Sequence, residues 1–190
     1  VKKLEEFQLA CRKMPKELRG WDAYIERQTA GDDCLESLPL VEQLANPSLR
    51  PRHWKALEEL TGHQLQVGTD TFKLSTLLEA GILDISDDVE EIAGSAVKEL
   101  AIEGKLNDIA NDWVVRVLSF SPFKQRGNLV LNMGATAEMQ EVLEESQMGL
   151  GSMLASRFVL PFKEFADEWV EKLSAVSEIL EQWTAVQAMW

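Results

Sequence analysis

Two histidines and two cysteines are all the imidazoles and thiols that this 190-residue sequence holds. Cys11 and Cys34 form no C-x-x-C pair, and they read as buried thiols of a reducing compartment rather than as a disulfide. Bases are also scarce: 19 Lys and Arg stand against 32 Asp and Glu, for a net charge of −13. Such a field repels phosphate backbones and anionic lipid, which argues against nucleic-acid and membrane partners. No apolar run approaches the roughly 20 residues that a membrane-spanning helix needs. The opening VKKLEEFQLACRK carries acids inside its apolar pattern and is not a signal peptide. The sequence starts without methionine and stops on VQAMW, both inside helical patterns, as expected for a piece of a larger intracellular protein.

Motifs for chemistry are missing as well. No G-x-x-x-x-G-K-[ST] phosphate cradle occurs. Gly149-Leu150-Gly151 is a lone G-x-G inside a helical pattern with no strand before it, so close helix packing is the better reading. Glu59 and His63 are four apart but separated by Gly62, and no Glu-x-x-His pair of the di-metal bundle type exists. The acid-rich stretches, such as Asp87, Asp88, Glu90 and Glu91, read as solvated helix faces. The expected catalytic, cofactor-binding and metal-ligating sets are therefore all empty.

Helical periodicity is what the sequence does have. Leu4, Phe7, Cys11, Met14, Leu18, Trp21 and Ile25 form an a/d seam, with Pro15 and Gly20 interrupting it into two helices or a kinked one. TAGDDC reads as a loop, followed by a helix over ESLPLVEQL in which Pro39 suits the first turn. Asn46-Pro47 marks a turn, Pro51 starts the next helix and Thr61-Gly62 stops it. The longest signal runs from about Ser86 to Trp113. Val89, Ile92, Ala93, Ala96, Val97 and Leu100 form one stripe, and Ile102, Leu106, Ile109, Ala110 and Trp113 form a second, rotated around Glu103-Gly104. A helix that changes its apolar face exchanges one packing partner for another. WVVRVLSF and NLVLNM, joined by the turn-rich SPFKQRG, predict a β-hairpin. Two further helical patterns follow, before and after Pro161. Six tryptophans is a high number, and Trp54, Trp113, Trp169 and Trp183 lie on apolar stripes. They read as large knobs locking helices together, with Trp54 and Trp113 expected to be buried.

The wording of these helices goes further than their periodicity. LPLVEQLANPSLRPRHWKALEELTG closely resembles the signature of the dynein heavy-chain linker, on Leu38, Pro39, Leu40, Asn46, Pro47, Arg52, His53, Trp54, Leu57, Thr61 and Gly62. KELAIEGKLNDIANDW is similar to a later motif of that family on Lys98, Glu99, Ile102, Glu103, Leu106, Ile109 and Trp113. The closing helices match on Gln147, Met153, Ser156, Phe162, Trp169, Leu173, Trp183, Gln187 and Trp190. The resemblance runs from about Trp21 to Trp190 and is nearer to axonemal than to cytoplasmic heavy chains.

It implies a mainly α fold, an elongated multi-helix bundle or rod with one small β-hairpin around residues 114–133. Residues 1–20 would lead in from the tail or begin the linker, and 21–190 would be the N-terminal portion of one elongated domain, incomplete at its C-terminus. It implies a mechanical lever without catalytic residues of its own, set in the cytoskeleton of an axoneme. ATP and magnesium would be bound by the AAA+ ring of the same heavy chain, which is the implied partner, with other dynein subunits possible beside it. The signature residues Leu38, Pro39, Asn46, Pro47, Arg52, His53, Trp54, Gly62, Glu103, Trp113, Trp169 and Trp183 would be structural. A spectrin-like bundle using the seam at residues 4–25 as a docking edge is the alternative, and a metal-dependent helical hydrolase is a third.

Overall fold

Proline and glycine divide the N-terminal seam as their chemistry dictates. In the computed structural model, which describes residues 2–65, 67–68 and 72–189, helix α1 (Lys2–Arg12) ends before Pro15. A single 3-10 turn at Lys16–Leu18 follows, and α2 (Asp22–Leu44) begins after Gly20. The side chain of Leu4 and the whole of Trp190, both read above as apolar helix positions, lie outside the described residues. Among the described residues no helix is long and apolar enough to cross a membrane.

TAGDDC is not a loop: α2 runs unbroken through it, and Pro39 lies near its end rather than in a first turn. Tertiary packing overrides the local turn chemistry here. Gly31 is buried, and a Cβ there would meet the Gln8 side chain of α1 at 3.8 Å. Gln8 Nε2 donates to Asp32 Oδ1 beside it. Pro39 is exposed, and it has no N–H to give the helical ladder. Cys11 is buried and Cys34 half-buried, both as free thiols.

The chain divides into two compact units, Val1–Val97 and Lys98–Trp190. In the first, α3 (Pro51–Thr61) and the short α4 (Leu74–Glu79) join α2 and the first turns of α5 (Ser86–Val115). Their core gathers Leu40, Leu44, Leu57, Leu65, Leu77, Ile82 and Val89. Ala93 and Ala96 continue this buried face, but Val97 and Leu100, expected on the same stripe, are exposed. The change of face therefore falls before Glu103-Gly104. Ala96 is the last residue of the first stripe to be buried and Ile102 the first of the second.

The second unit holds the remainder of α5, a hairpin, α6 (Met133–Leu154) and α7 (Lys163–Ala188), with a 3-10 stretch at Arg157–Phe162 absorbing Pro161. Ile102, Leu106, Leu150, Met153, Val159, Ala166, Trp169 and Leu173 form its larger core. Leu131, Leu143 and Leu180 form a smaller one beneath the hairpin.

The hairpin is shorter than 114–133. Strand β1 (Phe120–Pro122) pairs antiparallel with β2 (Asn128–Leu131), and the register shifts at Pro122, which has no N–H to give. Gly127, at φ 86°, closes the turn by accepting from Phe123 N at 2.8 Å. Val114 and Val115, read above as strand, end α5 and are 75% and 73% exposed. What holds that last turn helical is one residue on: Arg116 reaches back to Asp112 with Nε at 2.8 Å and Nη2 at 2.6 Å. The same guanidinium sits 5.3 Å from the Trp113 ring centre, a cation–π contact.

Candidate functional site

The stretch around His53 and Trp54 is a helix built to be held at both ends. Asn46 Oδ1 accepts from Ser48 N at 3.0 Å, and Asn46 O from Leu49 N at 3.2 Å, which shapes the turn before α3. Arg50 caps the helix in an extended conformation, the one its neighbour Pro51 imposes. His53, three residues in, turns its imidazole back so that Nδ1 accepts from Arg50 N at 2.9 Å. That is the reciprocal half of a capping box, with histidine in the place of Glu or Gln. The bond fixes the tautomer, leaving the ring proton on Nε2. At the other end Gly62, at φ 68°, lets its N–H reach Glu58 O at 2.9 Å in a left-handed cap that a Cβ would strain. Glu58 then accepts from Leu65 N at 2.7 Å, tying the following segment to the same helix.

Between its ends α3 presents Leu57 to the core with no exposed surface, and His53 is 6% exposed beside it. Trp54 is only half-buried, contrary to the sequence reading. It stands edge-on to Phe72, ring centres 5.8 Å apart at 85°. Leu38 is half-buried, Pro39, Pro47 and Arg52 are exposed, and Asn46 is half-buried. The seven signature positions Leu38, Pro39, Asn46, Pro47, Arg52, His53 and Trp54, with Gly62 as the eighth, belong to the first unit and lie in or beside one capped helix.

Glu103, Trp113, Trp169 and Trp183 fall in the second unit and differ in environment. Trp169 is buried, and Trp113 is half-buried rather than buried. Trp113 touches both cores of the unit, and its Nε1 donates to Ser146 Oγ at 3.0 Å. That hydroxyl in turn donates to Val142 O at 2.8 Å, so an indole of α5 is hydrogen-bonded into the backbone of α6. Trp183 is 39% exposed and leans on Phe120 of the hairpin at 5.7 Å, so it is no core knob. Glu103 is half-buried on α5.

Gln187 does more than any tryptophan for the hairpin. Its Oε1 accepts from Leu131 N at 2.7 Å and its Nε2 donates to Leu131 O at 3.0 Å. One side-chain amide thus replaces the strand that β2 lacks on that edge. Gln187→Ala should leave a buried N–H and carbonyl unpaired, at a cost of about 1–3 kcal/mol. Amide exchange at Leu131 will then rise sharply; unchanged protection there would refute this role.

Ionisable groups do not converge on any point of this framework. Among the described residues no three His, Cys, Asp or Glu side chains gather as metal ligands. Among the described residues Lys163 alone is held above its ordinary value, by the hydrogen bond and then the charge of Asp167, on an exposed helix face. The capped helix, the indole–serine bond and the amide stitch are all devices for fixing elements in place.

The family model for dynein heavy chain, N-terminal region 2, matches residues 1–190. The chain belongs to the dynein heavy-chain family. The segment is 45% identical over 187 residues to the dynein gamma chain of the flagellar outer arm of Chlamydomonas reinhardtii, covering 98% of this chain. It is 43% identical over the same length to dynein axonemal heavy chain 5 of Mus musculus, and 34% identical over 172 residues to dynein axonemal heavy chain 2 of Homo sapiens. The chain spans about 4% of the length of the curated relatives it matches. These dyneins are flagellar or axonemal, so the setting of this dynein segment is the cytoskeleton of a cilium or flagellum.

The sequence pointed to His53, Trp113 and Gln187 through the family's wording. It gave no reason to single out Ser146 or Glu58. A serine one turn after an apolar residue and a glutamate on an amphipathic helix are ordinary, and only the fold supplies Trp113 and Leu65 N as partners.

Proposed function

We propose that this chain is the N-terminal portion of the mechanical linker of an axonemal dynein heavy chain. It works as part of a lever that carries conformational change from the ATP-hydrolysing ring of the same chain to the tail, and so drives movement along microtubules. The observation that carries this reading is the match of the whole segment to the N-terminal region of dynein heavy chains. ATP and magnesium belong to the ring, and the chain's own residues have no catalytic part in this reading.

The internal construction suits the role. A lever transmits displacement only if its parts do not yield, and close-packed interiors have low compressibility. Within the first unit, α3 is capped at both ends and seated on Leu57. Within the second, Trp113 and Ser146 bond α5 to α6, and Gln187 bonds α7 to the hairpin. These are directional contacts, which resist sliding better than apolar packing alone.

The test uses the full-length heavy chain. Met148, 70% exposed on α6, is replaced by cysteine for a donor dye, with an acceptor in the ATPase ring. Cycling through ATP, ADP and the nucleotide-free state should change energy transfer in step with the ring. Constant transfer through the cycle would eliminate the lever reading.

A further inference from the structure

Gln187 uses its amide unevenly. Its Oε1 accepts from Leu131 N at 2.7 Å, and one Nε2 hydrogen goes to Leu131 O at 3.0 Å. The other reaches Met133 Sδ at 3.5 Å, and a thioether is a weak acceptor. The edge of β2 is therefore held by an amide with one donor well placed and one poorly used. Met133 opens α6 and is 57% exposed, so its sulfur stands where an oxidant in solution arrives. Other methionines are open too: Met14, Met148 and Met189 are 41%, 70% and 81% exposed. What sets Met133 apart is the N–H already aimed at its sulfur.

Hydrogen peroxide converts such a thioether to a sulfoxide. A sulfur lone pair attacks one peroxide oxygen, the O–O bond breaks, and the second oxygen leaves as hydroxide. The hydroxide takes the proton of the transferred oxygen, so the products are sulfoxide and water. Sulfur gives up two electrons and the peroxide accepts them. In a core this change is disruptive, because it sets a polar group among apolar ones. At Met133 the new oxygen meets water on one side and the Gln187 N–H on the other. The rotatable bonds of methionine let the sulfur step back while its oxygen takes over the contact. Nε2 then has two strong acceptors, Leu131 O and the sulfoxide oxygen, one for each hydrogen.

We propose that Met133 is an oxidation site whose sulfoxide locks Gln187 onto β2, so that peroxide tightens the joint between α7 and the hairpin. Two short strands hold poorly without help, so one added bond is felt there more than in a core. The change is reversed by the reductases that return methionine sulfoxide to the thioether. It is independent of the lever reading, because it concerns one joint inside the second unit.

Hydrogen exchange at the Leu131 amide tests it, in a chain whose exposed Met14, Met148 and Met189 are replaced by leucine. Mass spectrometry after peroxide treatment confirms one added oxygen, on Met133. Exchange should slow about fivefold on oxidation, the equivalent of one ordinary hydrogen bond, and should recover after reductase treatment. Met133→Leu should remove the response to peroxide, and so should Gln187→Ala. Met133→Gln places a carboxamide oxygen near where the sulfoxide oxygen would stand, and it should slow exchange without any oxidant. Circular dichroism checks that each variant folds. Exchange that is unchanged or faster in the singly oxidised chain overturns the proposal. So does a slowing that persists in Met133→Leu or in Gln187→Ala.

Discussion

Trp169→Ala should be the most damaging single change in the second unit, at about 3–5 kcal/mol, the range for a buried tryptophan truncated to alanine. Trp169 is 8% exposed within the core of Leu106, Leu150, Ala166 and Leu173. Phe165 meets it edge-on at 6.4 Å, and Lys172 Nζ lies 4.9 Å over its ring. Removing the indole leaves a hollow that three helices cannot close without breaking their own side-chain contacts. Hydrogen exchange is the measurement: protection across α6 and α7 should fall by several orders of magnitude. Protection equal to that of the parent chain would show that Trp169 is not a keystone of this core. A second substitution separates bulk from polarity. Trp169 Nε1 is buried with no acceptor among the described residues, so Trp169→Phe removes an unsatisfied donor along with part of the ring. It should cost far less than alanine.

Leu57→Ala should do comparable harm in the first unit, at about 2–5 kcal/mol. Leu57 has no exposed surface and sits among Leu40, Leu44, Leu65, Leu77 and Ile82, contributed by every element around α3. The cavity would open beneath the helix that His53 and Gly62 hold at its two ends, and the caps prevent α3 from collapsing into it. Urea unfolding followed by amide protection of α3, whose Trp54 packs against this cluster, reads the loss as a lower midpoint at unchanged slope. Leu57→Met keeps volume and should cost less than about 1.5 kcal/mol. If the two variants unfold together, cavity formation is not the cause.

How much of this was legible before the fold depends on whether the signal was local. α3 was read to its ends, because Pro51 and Gly62 act through their own backbone chemistry. The start of α5 at Ser86 and the break at Pro15 were legible for the same reason. TAGDDC was misread because Gly and Asp favour turns in isolation, while Gln8 of another helix decides their conformation here. Val114 and Val115 were misread because β-branched residues suggest strand, whereas the Asp112–Arg116 pair keeps that turn helical. The six residues of α4 gave too little periodicity to stand out, and they hold by burying Leu77. Tryptophan burial was overestimated: periodicity gives a side chain's face, but Trp183 and Trp54 lie at the margin of theirs. The signature residues fall in both compact units, a division that helical periodicity alone does not show.

The Gln187–Leu131 pairing has a consequence for how this polypeptide is made. A two-stranded hairpin is marginal by itself in water. Here the edge of β2 acquires its partner only from a residue 56 positions further along. On a ribosome, the hairpin and α6 emerge well before the amide that pins them. Until then Leu131, Leu143 and their neighbours have no Leu180 to cover them. The second unit therefore completes its hairpin last, when α7 arrives. The nascent chain spends that interval with an apolar surface for which a chaperone is the natural temporary cover.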